Sequence, residues 1–129
     1  MTFSVTVTQK NTMLATITTS IGSGANVIIY QGGVPANADA ALGGATVLAT
    51  LPCSSTFAPA PSGGTLTANA ITQQNATGTG PASFYRILTS GAVVVAQGSV
   101  GTSGADMNLN TTAIVTGGPV VVTSFTISM

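Results

Sequence analysis

The sequence predicts a mainly β protein: a single-domain antiparallel β-sandwich, jelly-roll-like, with one N-terminal helix. Three observations predict it. Short β-branched segments such as "NVIIY" and "AVVVA" have the length of strands. Clusters of Gly, Pro, Asn and Ser separate them, as in sandwiches and barrels. The 129 residues make one domain of ordinary size, able to bury roughly two-thirds of the surface its unfolded chain exposes. The domain is expected to cover 1–129, with the helix over about 8–21 and the sandwich over 26–128.

The helix rests on Met13, Leu14, Ile17 and Ile21, which recur at helical spacing, and on Gly22, placed where a helix end needs a residue free to turn left-handed. A strand from "FSVTVT" competes for the same stretch, since Phe3, Val5 and Val7 alternate with Ser and Thr. Strands are then expected near Asn26–Gln31, Ala45–Leu51, Thr65–Ile71, Ala82–Thr89, Ala92–Gly98, Asp106–Asn110 and Val120–Ser128. Between two of them "TSGA", Thr89 to Ala92, predicts a hairpin turn in which Ser90-Gly91 supplies the positive φ. The loops "QGGVPANADAALGG" and "LPCSSTFAPAPSGG" are long and nearly uncharged, suited to lie against another protein.

Charge sets limits on function. Only Lys10, Arg86, Asp39 and Asp106 are charged, 3% of the chain against about a quarter in a typical soluble domain. Hydrophobic residues reach 44%, so the low charge signals a folded chain rather than a disordered one. No run of about 18 apolar residues suggests a membrane span. The opening "MTFSVTVTQK" lacks the basic and apolar regions of a secretory signal, which points to synthesis in a cytosol. Two basic residues cannot neutralise the several phosphates that nucleic-acid binding requires, so no nucleic-acid partner is expected.

Catalysis is disfavoured by the same inventory. Histidine and glutamate are absent, leaving Asp39 and Asp106 as the only carboxylate side chains for acid–base work. Cys53, the single cysteine, has no histidine to activate it, and a serine or threonine nucleophile would have only Lys10 as a base. An intrachain disulfide is excluded; a pairing of Cys53 between two chains stays open. The sequence therefore predicts no enzyme, no cofactor and no catalytic or metal site.

One stretch invites a metal reading. In "GTSGADMNLNTT", Asp106, Asn108 and Asn110 match the first three ligand positions of an EF-hand calcium loop. Thr111 then stands where glycine is required, and no glutamate exists to close the site. The glycines of "GTSGAD" lack the Gly-Lys-Ser/Thr of a phosphate-binding loop. A strand explains more of the letters: Asp106, Asn108 and Asn110 share one face, while Met107 and Leu109 point to the core.

Arg86 is the other singular residue. In "SFYRIL" it lies on one face with Phe84 and Leu88, opposite Tyr85 and Ile87. The expectation is a largely buried guanidinium donating to loop carbonyls or to Asp106 or Asp39; a solvated edge position is the alternative.

The segments "VGTSGADMNLNTTAIVTGGPVVVTSFTIS" and "ATGTGPASFYRIL" resemble a family of small bacteriophage proteins encoded among virion structural genes. Its pattern is close to A-T-G-T-A-x-x-F-R, then G-T-S-G-A-D-L-N-L-N-T-T, then V-x-V-T-S-F-T. The similarity runs from about Gly64 to the end of the chain, with a weaker likeness around "IIYQGGVPA". Phe84-Tyr85-Arg86 stands where the family often has Trp-Phe-Arg, and the helix here is less charged. The resemblance implies a protein of the virion, made in the host cytoplasm. A capsid decoration or cement protein is expected, with the major capsid protein and other copies of itself as partners. A tail or baseplate subunit is the second expectation and a host-surface-binding module the third.

Overall fold

The structure, a computed structural model, describes residues 3–128. Residues 3–6 carry no regular secondary structure, and helix α1 spans Val7–Ile21. Helix therefore prevails over the competing strand, starting one residue before the expected position. Thr6 caps it, its hydroxyl accepting the amide of Gln9 at 3.1 Å. Gly22, at φ +68°, closes it by donating to the carbonyl of Thr18 at 3.1 Å. The helix is rich in threonine, a poor helix former, and the hydroxyls of Thr12, Thr16 and Thr19 bond back to carbonyls one turn earlier. Packing of Leu14 and Ile21 into the core, more than propensity, holds this helix.

Eleven strands follow among the described residues: β1 Asn26–Gln31, β2 Thr46–Pro52, β3 Thr65–Thr67, β4 Gln74–Asn75, β5 Gly80–Pro81, β6 Phe84–Leu88, β7 Val94–Gly101, β8 Met107–Leu109, β9 Ala113–Ile114, β10 Pro119–Val120 and β11 Val122–Ser128. Seven form one sheet in the order β2-β1-β6-β7-β8-β11-β3, and β10-β4 and β5-β9 are two-stranded ladders. The fold is mainly β with one helix, consistent with a β-sandwich. The large sheet is mixed rather than wholly antiparallel, because β7 and β8 pair in parallel at Val100↔Met107 and Gly101↔Asn108. That pairing is two residues long, so the short loop between the strands can close it without a crossover helix.

One apolar cluster fills the interior. The sheet contributes Val27, Ile29, Leu51, Tyr85, Ile87, Met107 and Phe125, and α1 contributes Leu14 and Ile21. Phe57 enters it from the 53–64 loop and meets Phe125 edge to face at 5.7 Å, while Phe125 meets Tyr85 at 4.9 Å.

Several sequence expectations are adjusted. The strand expected over Thr65–Ile71 stops at Thr67: the Ala68 amide still bonds the carbonyl of Phe125 in register with β11, but the next amide, that of Asn69, turns away to the carbonyl of Phe57. In the hairpin the positive φ falls on Ala92 (64°), not on Ser90-Gly91. Ala92 donates to the carbonyl of Thr89 at 2.9 Å, and Thr89 donates to the carbonyl of Val93. A three-residue loop ending in a left-handed residue is a common alternative to the two-residue turn. No helix among the described residues is long and apolar enough to cross a membrane.

Candidate functional site

The sheet is covered on its second face as well. Tyr30 and Phe84, paired across β1 and β6, stack with centroids 5.0 Å apart and are both buried outside the main cluster. Beside them Arg86 is 4% exposed. The cover is the loop after β1, which the sequence suggested would lie against another protein. Ser83 Oγ donates to the carbonyl of Gly32 at 3.0 Å. Arg86 Nη2 donates to the carbonyls of Ala40 at 2.6 Å and Asn37 at 3.4 Å.

Arg86 is thus buried and bound to loop carbonyls, as expected, but neither Asp39 nor Asp106 is a partner. Its third contact is Gln97, directly opposite on β7, whose Oε1 accepts from Nε at 3.0 Å. Gln97 in turn donates through Nε2 to the carbonyl of Pro35 at 2.9 Å. The hydrogen bonds of this cation go to neutral oxygens, so it acts as a strap that presses residues 35–40 onto the sheet. Gln97 was not legible as a partner; only the register Arg86↔Gln97 identifies it. With its inner side tied, the loop keeps Val34, Ala36, Asn37, Asp39 and Ala41 exposed.

The second long loop is also tied to its own chain. Phe57 and Ala58 are buried, and Asn69 holds the segment by donating Nδ2 to the carbonyl of Thr56 at 2.9 Å. Pro59, Ala60, Ser62 and Gly63 remain exposed. Cys53 is half-buried, and burial pushes its thiol up to about 11.

The "DMNLN" stretch is β8 with its flanks, and Met107 and Leu109 face the core as expected. The asparagine oxygens accept main-chain amides: Asn108 Oδ1 that of Ala105 at 3.2 Å, and Asn110 Oδ1 that of Val121 at 3.1 Å. Their amide groups donate to Ser124 Oγ at 2.8 Å and to the carbonyl of Pro119 at 3.3 Å. Asp106 accepts the amide of Ser99 at 3.3 Å and returns its own amide to Ser99 Oγ at 3.2 Å, which pins the parallel strand pair. The run is a set of braces. No group of three His, Cys, Asp or Glu that could hold a metal occurs among the described residues.

Burial, and secondarily the nearby Asp106 carboxylate, pushes the Tyr85 phenol up. Burial raises the Tyr30 phenol too, partly opposed by the Arg86 guanidinium. Tyr30, Tyr85 and Cys53 are therefore all neutral at pH 7.

An open groove of about 230 Å³ lies beside β9 and β10, with Ile114, Val115, Pro119 and Val120 in its lining. Along this stretch Ile114 is buried while its neighbour Val115 is exposed. Comparison of the chain with protein-family models, curated proteins and solved structures finds no significant match.

Proposed function

We propose that this protein is a structural component of a bacteriophage virion, a decoration or cement protein that binds the assembled head and reinforces it. The observation that carries the reading is the near-neutral surface. Of four charged side chains Arg86 is buried, leaving Lys10, Asp39 and Asp106 for the exterior of a 129-residue protein. Desolvating Thr, Ser, Asn, Gly and Ala costs less than desolvating charge, so such a surface suits extensive contact with neighbouring subunits. It serves a free protein poorly, because low net charge favours association. The sequence resemblance to phage virion proteins supports the same reading and supplies the class of partner, the major capsid protein. With Arg86 enclosed, one basic side chain is left for phosphate contacts, which argues against a nucleic-acid role.

The test is to mix purified protein with undecorated capsids and image the particles. Binding in large, symmetry-related copy number is expected, and it should persist from low to roughly molar salt, because screening weakens ionic contacts but not apolar burial. A few copies at the tail, with none on the shell, would instead establish the tail or baseplate reading.

A further inference from the structure

Helix α1 is held more weakly than the strands beside it, for reasons that lie in named residues. Only Leu14 and Ile21 of the helix are fully buried, while Val7 is 52% and Met13 38% exposed. Thr8, Thr12, Thr16, Thr18 and Thr19 give it poor intrinsic propensity, and neither an acidic residue in its first turn nor a basic one in its last offsets the dipole. Thr18 adds a direct cost: its Oγ is sealed from solvent with no hydrogen-bond partner among the described residues. A hydroxyl that gave up water for no partner opposes docking and regains water on release.

Against these stand the apolar contacts of Leu14, Ile17 and Ile21, and the bond in which Asn11 Oδ1 accepts the Gly64 amide at 3.0 Å. The link from α1 to β1 contains Gly22-Ser23-Gly24, both glycines at positive φ, +68° and +75°. Just beyond it the chain is fixed, since Cys53 donates its amide to the carbonyl of Ala25 at 3.0 Å. β1 and β6, by contrast, are each paired with a neighbouring strand on both sides.

We propose that α1 is a detachable clasp, which swings away about Gly22–Gly24 while the sheet stays folded. Release breaks the Asn11–Gly64 bond, returns the Thr18 hydroxyl to water and uncovers the parts of β3 and β7 on which the helix lies. A unit with few buried contacts opens at a lower free energy than the whole domain. Such opening is a property of the free chain and stands apart from what the protein binds.

Hydrogen exchange of the purified full-length protein, followed residue by residue without urea and at low urea, tests the clasp. Relative to unfolded-chain rates, the amides of Ile17 to Ile21 should exchange at least about tenfold faster than those of Val27, Ile29 and Ile87. Their rates should also depend less on urea, because opening α1 exposes less surface than global unfolding. Thr18→Val, an isosteric change that replaces the orphan hydroxyl with a methyl, should slow exchange in α1 roughly tenfold. Gln97→Ala loosens the far face of the sheet, and should speed exchange at Val27, Ile29 and Ile87 while leaving α1 unchanged. Equal protection and equal urea dependence in helix and sheet, no slowing in Thr18→Val, or parallel acceleration of both in Gln97→Ala would each overturn the proposal.

Discussion

Arg86 and Gln97 sit opposite one another on β6 and β7, and between them bond three loop carbonyls, those of Pro35, Asn37 and Ala40. A buried cation usually has a carboxylate partner; here the dipoles of an amide and of the main chain stabilise it. The consequence is mechanical. The strap converts a long Gly/Pro/Ala loop into a fixed cover over Tyr30 and Phe84, with a defined outer surface.

Arg86→Leu removes the guanidinium and leaves the Gln97 oxygen and two carbonyls without a donor. Unfolding in urea should show a loss of about 2–4 kcal/mol, the cost of several unmet buried acceptors. Limited proteolysis should then cut between 35 and 41. Gln97→Ala should cost less, and the double variant less than the sum of the two, since the residues share one network. Wild-type stability and protease resistance in Arg86→Leu would refute the strap.

Gly98 lies under the Tyr85 hydroxyl. A Cβ there would come 2.6 Å from Tyr85 Oη and 2.7 Å from Asp106 Oδ2. Tyr85 cannot swing away freely, because its ring is packed on Phe125. Gly98→Ala should therefore destabilise by about 1–3 kcal/mol through overpacking, measurable as a lower urea midpoint with an unchanged slope.

The hairpin after β6 offers the opposite sign. Ala92 is the one non-glycine residue with positive φ among the described residues, a conformation that costs an L-residue roughly 1–2 kcal/mol. Ala92→Gly relieves that strain at some cost in unfolded-state entropy, for a net gain of about 1 kcal/mol. A thermal melt checks it; a lower melting temperature would mean the turn is not strained.

Alkaline pH should unfold the protein earlier than acid chemistry would suggest from four charges. Cys53 titrates near 9 when unfolded and about 11 when folded, and the Tyr85 phenol is raised from its ordinary 10. Both are acids whose neutral form the fold favours, so their contribution is complete below about pH 9 and is lost as pH rises through the folded values. The urea midpoint should be level from pH 7 to 8.5 and fall above pH 9. In Cys53→Ala the fall should begin later, near pH 10, where the buried phenols of Tyr85 and Tyr30 act.

Much of this protein could be read from its letters, for a local reason. Strand alternation determined that Met107 and Leu109 face inward, and that Arg86 shares a face with Phe84. Helical spacing and Gly22 located α1 to within one residue, and the bounds Asn26–Gln31 came out as expected. These depend on period and on single-residue backbone preference, which neighbouring residues express by themselves.

What only the tertiary structure decided involves partners far apart in sequence. The two-residue ladders β4–β10 and β5–β9 have no signature of their own and exist because packing brings Gln74 to Val120 and Gly80 to Ile114. The parallel junction of β7 and β8 depends on Asp106 and Ser99 exchanging hydrogen bonds across a short loop. The composition of the long loops suggested outward contact surfaces, yet one carries Phe57 into the core and the other is strapped down by Arg86. A side chain's period states which way it points; which distant carbonyl or ring it meets there is set by how the whole chain closes on its core.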